Sequence, residues 1–376
     1  MENQYTVSPA EFKGLLDAGQ IGFILDLREE DEFAEWRIEG LAEIETVNIP
    51  KVAFVGEEEQ YFEKFPRDRR IFVICAHGDS SRYSAKLLEA NGFKAVSLAG
   101  GMDAWSELYE THRVNSAPDV YQILRIARGC ISHVIVSGGR AAVLDPVRHI
   151  AEITKLTGSL GVSVTHVIDT HLQADHISGG RELARQTGAK YCIHPGDAEG
   201  AAFGYEPLRD GQAIPLGASI LKVLHTPGHT SGSISILLDG KYLFAGDTIL
   251  KETIGRPDLG GMAREWAGFL HETLFRRFAP LPDDTVIFPA HASALKEQGK
   301  DGAVRTTIGE ARREGDLYGI KDRAKFIDFV QTHLPENPDR YAEMRKVNLG
   351  LIEPDEAKRR ELEIGKNLCG MATPPP

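Results

Sequence analysis

The feature that most constrains the fold of this chain is the segment 170–176, which reads THLQADH. It places His171, Asp175 and His176 within six positions, directly after the apolar run 162–168. Imidazole and carboxylate groups are common metal ligands, and the carboxyl edge of a sheet is a common place for a binding site. The pattern therefore predicts a strand, a ligand loop at its end, and a helix that opens at His176.

Three further residues with ligand side chains lie downstream, each just after a short apolar run rich in strand formers. They are His229 after residues 220–224, Asp247 after residues 241–244, and His291 after residues 286–288. Each is flanked by Gly, Pro or Ala, which allow a backbone to approach a metal closely. The order and spacing resemble the metallo-β-lactamase fold, and the resemblance implies an α+β domain with two sheets flanked by helices (αββα).

The residue at position 173 decides between two chemistries. Hydrolytic members of that superfamily hold two zinc ions, and the first zinc uses a second histidine where this chain has Gln173. What remains is His171, His229 and Asp247, a set with open positions that suits non-haem Fe(II) binding substrate and O2 together. Because zinc has no redox chemistry to offer O2, the residues favour Fe(II), one ion per chain.

A second group of donors leaves other functions open. Asp175, His176 and His291 could form a second site bridged by Asp247, as in a two-metal hydrolase that tolerates Gln173. Such an enzyme would resemble glyoxalase II, a zinc thioester hydrolase that consumes no oxygen. The other rival is a non-catalytic persulfide sensor or sulfur carrier.

Composition limits the class of protein. The 376 residues suffice for two domains, and 42% apolar with 26% charged residues is typical of a soluble globular protein. The net charge of −12 argues against nucleic acid or an anionic membrane as partner. The chain opens with no signal-like segment and has no run of about 18 apolar residues. Four cysteines without a CxxC pair favour a reducing cytoplasm.

The first hundred residues alternate helical patterns with short apolar strands. A serine N-cap, proline and an acidic first turn begin a helix at Ser8. Strands are predicted at residues 23–27, 70–74 and 94–98, with a helical pattern at residues 83–90. This order predicts a small α/β domain with a largely parallel sheet.

Cys75 follows the second of these strands and opens a polar loop that leads into a helix near Ser81. The N–H groups of such a turn and the positive end of a helix favour the thiolate and suit an anionic persulfide. We therefore expect an exposed, reactive thiol rather than a buried structural cysteine.

Residues 5–110 resemble a rhodanese domain. The resemblance rests on LDLRE at 25–29, VNIP at 47–50, the Cys75 loop and LAGGMDAW at 98–105. It implies a sulfurtransferase that works through a Cys75 persulfide. Rhodanese loops often carry arginine near the position of Ser80, but this loop has no Arg or Lys and contains Asp79. Because a dianion requires a fixed cation, this favours persulfide over thiosulfate.

The domain after a predicted linker at residues 111–119 is similar to persulfide dioxygenases, the iron enzymes that oxidise glutathione persulfide to sulfite. The similarity rests on residues 128–132, 145–147, 255–261, 306–310 and 341–345, on Asn348, and on the ligand motifs. It implies that His171, His229 and Asp247 bind the iron. It further implies a homodimer, and a rhodanese domain that either loads a thiol with sulfur or consumes the sulfite.

Residues around these iron ligands are predicted to have supporting roles. Gln173, Asp175, His176 and His291 are expected to hold the ligands by hydrogen bonds. Arg256 is a candidate for binding a substrate carboxylate, the alternative being a surface turn residue.

The remaining candidates receive simpler predictions. His166 is interpreted as a packed strand residue, and Cys130 and Cys192 as inert. The predicted first domain comprises residues 1–110, and the second comprises residues 120–376 with a helical C-terminal extension. Cys369 is interpreted as a disordered free thiol, or as a carrier of persulfide between these domains.

Overall fold

The computed structural model describes residues 2–334, 340–365 and 367–371; the rest of the predicted second domain lies outside these ranges. The chain forms two compact units. The first comprises residues up to Tyr109 with Arg125–Arg128 and Ala294–Lys296, and the second comprises Glu110–Leu124, Gly129–Ser293 and the chain from Glu297 onward. None of the described helices is both long and apolar enough to cross a bilayer.

The first unit is an α/β domain, as predicted. Its strands and helices alternate as β1 (Thr6–Val7), α1 (Pro9–Asp17), β2 (Phe23–Asp26), α2 (Glu30–Glu35), β3 (Glu45–Asn48), α3 (Lys51–Phe54), β4 (Ile71–Ile74), α4 (Asp79–Ala90), β5 (Ala95–Leu98) and α5 (Gly101–Ser106). The strands pair in parallel in the order β1-β5-β4-β2-β3. Strands β2, β4 and β5 were predicted, whereas β1 has only two residues and β3 is only partly buried, so both give weak patterns.

The predicted start of α1 is confirmed by a reciprocal cap. The Ser8 hydroxyl accepts a hydrogen bond from the Glu11 N–H at 3.3 Å, and the Glu11 carboxylate accepts one from the Ser8 N–H at 3.0 Å. Two N–H groups that a helix start leaves without partners are thereby satisfied. The helix then buries Phe12 and Leu16 against the sheet.

The second unit contains two sheets and seven helices in the described residues. Its strands are β6 (Tyr109–Ser116), β7 (Asp119–Arg125), β8 (Ile131–Ser137), β9 (Arg140–Leu144), β10 (Ser163–Ile168), β11 (Lys190–Ile193), β12 (Glu206–Pro207), β13 (Ala213–Leu216), β14 (Ser219–His225), β15 (Ile234–Leu238), β16 (Tyr242–Gly246), β17 (Val286–Pro289) and β18 (Thr306–Thr307). Its helices are α6 (Ala151–Ser159), α7 (Gly180–Thr187), α8 (Ala263–Glu272), α9 (Ile308–Glu314), α10 (Arg323–Thr332), α11 (Arg340–Asn348) and α12 (Glu356–Leu362).

The two sheets face each other across one apolar core. The first runs β12-β11-β10-β9-β8-β7-β6 and the second β13-β14-β15-β16-β17-β18, both with mixed pairing. Buried residues of both sheets, among them Ile135, Leu144, Val223 and Phe288, pack into a single cluster. A further cluster joins helices α8 to α10 to the second sheet. The predicted αββα sandwich is confirmed.

Two local predictions differ from the structure. Residues 111–116, predicted as a linker, belong to β6, which forms the outer edge of the first sheet. An edge strand tolerates polar residues because one side faces solvent, so its composition is close to that of a linker. The helix predicted to open at His176 begins at Gly180, and residues 176–179 extend the ligand loop.

His133 makes the second unit sensitive to acid. It is 1% exposed and packs edge-on against Phe244, with ring centroids 5.0 Å apart. Burial lowers the pKa of His133 to about 3. Between these two pKa values, the His133 side chain binds a proton in the unfolded chain, where histidines titrate near 6.5, but stays neutral in the folded chain. The stability of the folded chain therefore falls as the pH drops from about 6.5 towards 3.

We expect the free energy of unfolding to fall by about 2 kcal/mol less between pH 7 and pH 5 in His133→Leu than in the wild type. The measurement is the free energy of unfolding in urea at both pH values. Gln122 keeps its hydrogen bonds to the Val304 backbone in this variant. His333→Gln, at the partly exposed end of α10, serves as the control. An unchanged pH dependence in His133→Leu would contradict the assignment.

Candidate metal centre

The predicted ligand residues lie in loops that follow strands of both sheets. His171 follows β10, His229 follows β14, Asp247 follows β16 and His291 follows β17. All four side chains are at most 1% exposed. Parallel pairing of β16 with β17 brings the last two loops to the same edge. The four loops therefore meet in the folded chain.

His171, His229 and Asp247 form the first donor cluster, with ligand atoms within 4.8 Å of one another. Asp247 Oδ2 lies 3.7 Å from His171 Nε2 and 3.6 Å from His229 Nε2. These three atoms are buried, and none has a hydrogen-bond partner among the described residues. Since buried polar atoms without partners are rare, the cluster fits a metal ion held by two imidazoles and a carboxylate.

The backbone fixes the orientation of His229. Its Nδ1 lies 2.9 Å from the carbonyl oxygen of Arg256, which can only accept, so Nδ1 carries the proton and Nε2 faces the cluster. A side chain at Gly255 would collide with the Asp247 backbone and would crowd the His229 ring. The glycine is therefore required for the close approach of this loop to the cluster.

Asp197, which the sequence analysis missed, joins two ligand loops. Its carboxylate accepts hydrogen bonds from the N–H of Leu172 at 2.7 Å, the hydroxyl of Thr230 at 2.6 Å and the N–H of Gly232 at 2.8 Å. The loops carrying His171 and His229 are thereby held to one buried group. No motif surrounds Asp197, so only the folded chain reveals its role.

Gln173 is part of a hydrogen-bond network beside the first cluster. Its Nε2 donates to Asp145 Oδ1 at 3.0 Å, and the Thr170 N–H donates to the same oxygen at 2.7 Å. Burial, with the nearby charge of Asp169, raises the pKa of Asp145 to about 7. Gln173 is thus held by Asp145, and its supporting role stays a prediction.

Cys130, Asp175, His176 and His291 form a second donor cluster, again within 4.8 Å. His291 also links the clusters, because its Nδ1 lies 2.6 Å from Asp247 Oδ1. The interpretation of Cys130 as inert stays a prediction, although the fold places its sulfur among these groups. Cys130 lies just before β8, and the tertiary structure brings it to three residues far from it in sequence.

The histidines of the two clusters differ in the direction of their pKa shifts. Burial lowers the pKa of His171 to about 3 and also lowers that of His229, so both rings are neutral and can act as ligands. Burial would lower the pKa of His176 as well, but Cys130 and Asp175 outweigh it and raise that pKa to about 10. Burial would raise the pKa of Cys130, but the charges of His176 and His291 lower it to about 7.

Asn348 holds the extended ligand loop in place. Its Nδ2 donates to the carbonyl oxygens of Gln173 and His176, both at 2.9 Å, and its Oδ1 accepts from the Ser178 N–H at 3.0 Å. The side chain is 5% exposed. These hydrogen bonds connect α11 to the loop and replace the helical turn that was predicted there.

We expect Asn348→Ala to lower the free energy of unfolding by about 2 to 4 kcal/mol, because it leaves buried backbone groups without partners. Metal content after gel filtration should fall with it. Unfolding in urea gives the first quantity and elemental analysis the second. Asn91→Ala, at the exposed end of α4, should change stability by less than about 0.5 kcal/mol. Equal effects of the two variants would contradict this role.

Arg256 lies inside the protein, with 0% of its surface exposed, so the surface-turn interpretation is wrong. Its guanidinium donates from Nε and Nη2 to the two carboxylate oxygens of Asp258, at 2.7 Å and 2.8 Å. The planar fork that was expected to bind a substrate carboxylate is therefore engaged by a carboxylate of this chain.

Cys369 is ordered and 0% exposed, which contradicts the prediction of a disordered thiol. Its carbonyl oxygen accepts from the Arg256 N–H at 2.8 Å, and the side chain packs with Trp266 and Tyr341. Burial raises the pKa of Cys369 well above its ordinary value. A protonated, enclosed thiol is poorly suited to carry a persulfide.

The Cys75 loop of the first unit cradles its sulfur. Cys75 Sγ accepts hydrogen bonds from the N–H groups of Gly78 at 3.1 Å and Ser81 at 3.3 Å, at the start of α4. Cys75 is 6% exposed, so the expectation of an exposed thiol is wrong. The polar loop folds around the sulfur, so its first residue, Cys75, is enclosed.

The first turn of α5 supports this loop. The Cys75 and Ala76 carbonyls accept from the N–H groups of Met102 and Asp103, at 2.9 Å and 3.0 Å. Side chains at Gly101 would collide with both carbonyls. Gly101 is thus explained by close backbone contact with the cysteine loop.

The fold and these sites define a metal-binding αββα domain that follows an α/β domain with a cysteine loop. Family models agree: a metallo-beta-lactamase superfamily model matches residues 126–291 and a rhodanese-like domain model matches residues 8–108. The chain belongs to the metallo-beta-lactamase superfamily and carries an N-terminal rhodanese domain.

The relatives of this chain include a hydrolase and a dioxygenase. The hydroxyacylglutathione hydrolase of Rhodospirillum rubrum is 30% identical over 179 residues, 47% of this chain and 67% of that protein. The human mitochondrial persulfide dioxygenase ETHE1 is 31% identical over 165 residues, 40% of this chain and 58% of that protein. The crystal structure of ETHE1 from Myxococcus xanthus superposes with a TM-score of 0.53 at 27% identity, covering 65% of this chain and 99% of that one.

Proposed function

We propose that the second domain is an Fe(II) persulfide dioxygenase, which oxidises a small thiol persulfide with O2 and water to sulfite, thiol and protons. The observation that carries this proposal is the first cluster, in which His171, His229 and Asp247 offer two neutral imidazoles and one carboxylate. Gln173 replaces the further imidazole expected of a zinc hydrolase and is bound to Asp145 instead. A two-histidine, one-carboxylate set suits iron with open positions.

The chain's own residues would hold and orient the ion. Bound iron would supply the redox chemistry with O2 that zinc lacks. Asp247 presents Oδ2 to the cluster while His291 holds its other oxygen. Arg256 acts as a positioning residue, because its carbonyl sets the His229 tautomer and Asp258 engages its guanidinium. Complete burial of the ligand side chains excludes bulk water from them.

The substrate that we propose is glutathione persulfide. The support is the relatedness to the human persulfide dioxygenase and to the structure from Myxococcus xanthus. A hydrolase that acts on a glutathione thioester is also related, which favours glutathione as the thiol in either case.

For the first domain we propose sulfur transfer through Cys75. The thiolate would attack the terminal sulfur of a persulfide, forming Cys75 persulfide and releasing the thiol. Sulfite would then take that sulfur to give thiosulfate and regenerate the thiolate. The Gly78 and Ser81 N–H groups, which donate hydrogen bonds to Cys75 Sγ in the structure, are suited to a persulfide of single negative charge.

A zinc thioester hydrolase is the second candidate. It is favoured by the second donor cluster and by the relatedness to hydroxyacylglutathione hydrolase. Such an enzyme would hold zinc in the first cluster and would release thiol from a thioester without consuming oxygen.

Metal analysis of anaerobically purified protein, combined with an oxygen-electrode trace on adding glutathione persulfide, tests the proposal. Iron near one equivalent at His171, His229 and Asp247, with oxygen uptake matched by sulfite, supports the dioxygenase. Zinc in place of iron with a flat oxygen trace rejects it, and thioester hydrolysis would then be assayed on the same preparation.

A further inference from the structure

We propose that His77, held by Asp103, donates a proton to the thiol that leaves when Cys75 accepts sulfur from a persulfide. The inference rests on the sulfur transfer proposed for the first domain and assigns a second catalytic residue to it. His77 Nδ1 lies 2.7 Å from Asp103 Oδ2, and the two side chains are 76% and 43% exposed. An exposed imidazole can exchange its proton with solvent, as repeated turnover requires.

His77 belongs to the loop that surrounds the Cys75 sulfur. The N–H of Gly78, the next residue, donates to Cys75 Sγ at 3.1 Å. The His77 Cα is two bonds from this nitrogen, so it lies within about 6 Å of the sulfur. Gly78 has a φ of 91°, and a side chain there would collide with the backbone nitrogen of Gly100. The backbone that carries His77 is therefore held close to the sulfur.

The first turn of α5 brings the Asp103 carboxylate to this loop. The Asp103 N–H donates to the Ala76 carbonyl at 3.0 Å, which joins the backbones that carry the two side chains. A carboxylate only accepts hydrogen bonds, so His77 Nδ1 carries a proton, and a second proton is exchanged at Nε2. Among the described residues, none forms a hydrogen bond with Nε2. This nitrogen is therefore available to a departing thiol.

The other side chains of the loop are poor proton donors. Residues 76–81 read AHGDSS, and among these types histidine is the usual general acid near neutral pH. The Ser81 side chain is fully buried, and its hydroxyl lies 3.2 Å from Cys75 Sγ. A buried hydroxyl is a far weaker acid than an imidazolium, so His77 is the donor that the loop provides.

The proposed step balances with a single proton. The Cys75 thiolate attacks the terminal sulfur of a persulfide, RSSH, so that a new S–S bond forms and the bond to RS⁻ breaks. The His77 imidazolium transfers its Nε2 proton to RS⁻ and gives the free thiol. The neutral imidazole then regains a proton from solvent. No oxidant or reductant is consumed, because the sulfur atom only passes from one thiol to another.

The transfer to sulfite does not need this proton. When sulfite takes the outer sulfur of the persulfide, the leaving group is the Cys75 thiolate itself. The N–H groups of Gly78 and Ser81 donate to that sulfur and stabilise its charge. The thiol released during loading is outside this cradle, so its charge is neutralised by His77. Since the Asp103 carboxylate offsets the imidazolium charge, the pair supplies a proton without making the loop a site for a dianion.

Two sulfur donors with different leaving groups test the inference in the full-length protein. Glutathione persulfide releases a basic thiolate, whereas benzenethiosulfonate releases benzenesulfinate, a weak base that needs no proton. We expect His77→Gln to load Cys75 from glutathione persulfide about 100-fold more slowly than the wild type. Loading from benzenethiosulfonate and transfer to sulfite should change by less than about twofold. Mass spectrometry of Cys75 persulfide in anaerobic single-turnover reactions gives all three rates.

Asp103→Asn should show the same selectivity with a smaller loss, because the imidazole remains without its carboxylate. His333→Gln, which changes a histidine of the second unit, should leave all three rates unchanged. Equal losses with the two donors would give His77 a purely structural role, and an unchanged rate with glutathione persulfide would exclude it from the reaction. Either result overturns the inference. Absence of Cys75 loading in the wild type would instead reject the proposed sulfur transfer, and the inference with it.

Discussion

We expect His171→Ala to abolish the proposed iron binding and oxygen uptake, with activity below about one hundredth of the wild type. Loss of groups that merely orient metal ligands already costs roughly 10- to 100-fold, and His171 supplies one of three donors in the first cluster. The remaining His229 and Asp247 leave an incomplete set. Iron content and the oxygen-electrode rate with glutathione persulfide are the two measurements.

His166→Gln provides the matched control for this variant. His166 lies in β10, the strand that precedes His171, and belongs to neither donor cluster. It should retain iron and at least about half of the rate, since surface or half-buried changes away from a site have small effects. Retention of full iron and oxygen uptake in His171→Ala would remove this residue from the metal site.

We expect Cys75→Ser to abolish the proposed sulfur transfer from glutathione persulfide to sulfite, to below about one thousandth of the wild-type rate. A serine hydroxyl is not ionised near neutral pH and does not form a persulfide. Oxygen uptake by the second domain should be unchanged. Thiosulfate formation measures the first activity under anaerobic conditions, where the dioxygenase reaction cannot consume the persulfide.

Cys192→Ser is the control for this substitution, since Cys192 is also buried but lies within strand β11 of the second unit. It should transfer sulfur at the wild-type rate. With thiosulfate as donor the wild type itself should be slow, because the Cys75 loop has no cation to bind a dianion. Equal transfer by Cys75→Ser and the wild type would show that the first domain uses another group.

Sequence patterns predicted the parts of the fold that depend on local order. The strands before His171, His229, Asp247 and His291 were all predicted, because a short apolar run followed by a glycine- or proline-containing loop is a local signal. The loops meet in the structure because such strands end at one edge of a sandwich. The capped start of α1 at Ser8 was equally local.

What sequence did not predict depends on contacts between distant segments. Cys130 joins the second cluster through pairing with His291, and Asn348 reaches the ligand loop from a helix about half the chain away. Two predictions that relied on polar composition were also wrong. The segment predicted as a linker forms the edge strand β6, and Cys75, predicted to be exposed, is enclosed by its own polar loop. Burial of this kind is set by packing, which single-residue patterns do not report.

The contact between Cys369 and Arg256 bears on how the protein is made in the cell. The segment around Cys369 pairs with residues 254–256, whose backbone orients His229. During synthesis on the ribosome this support is absent until residue 371 has emerged. The first unit, with strands that are near neighbours in the chain, can fold much earlier. Metal should therefore be acquired only after translation, and stalled nascent chains should already protect Cys75 from alkylation while leaving Cys130 reactive.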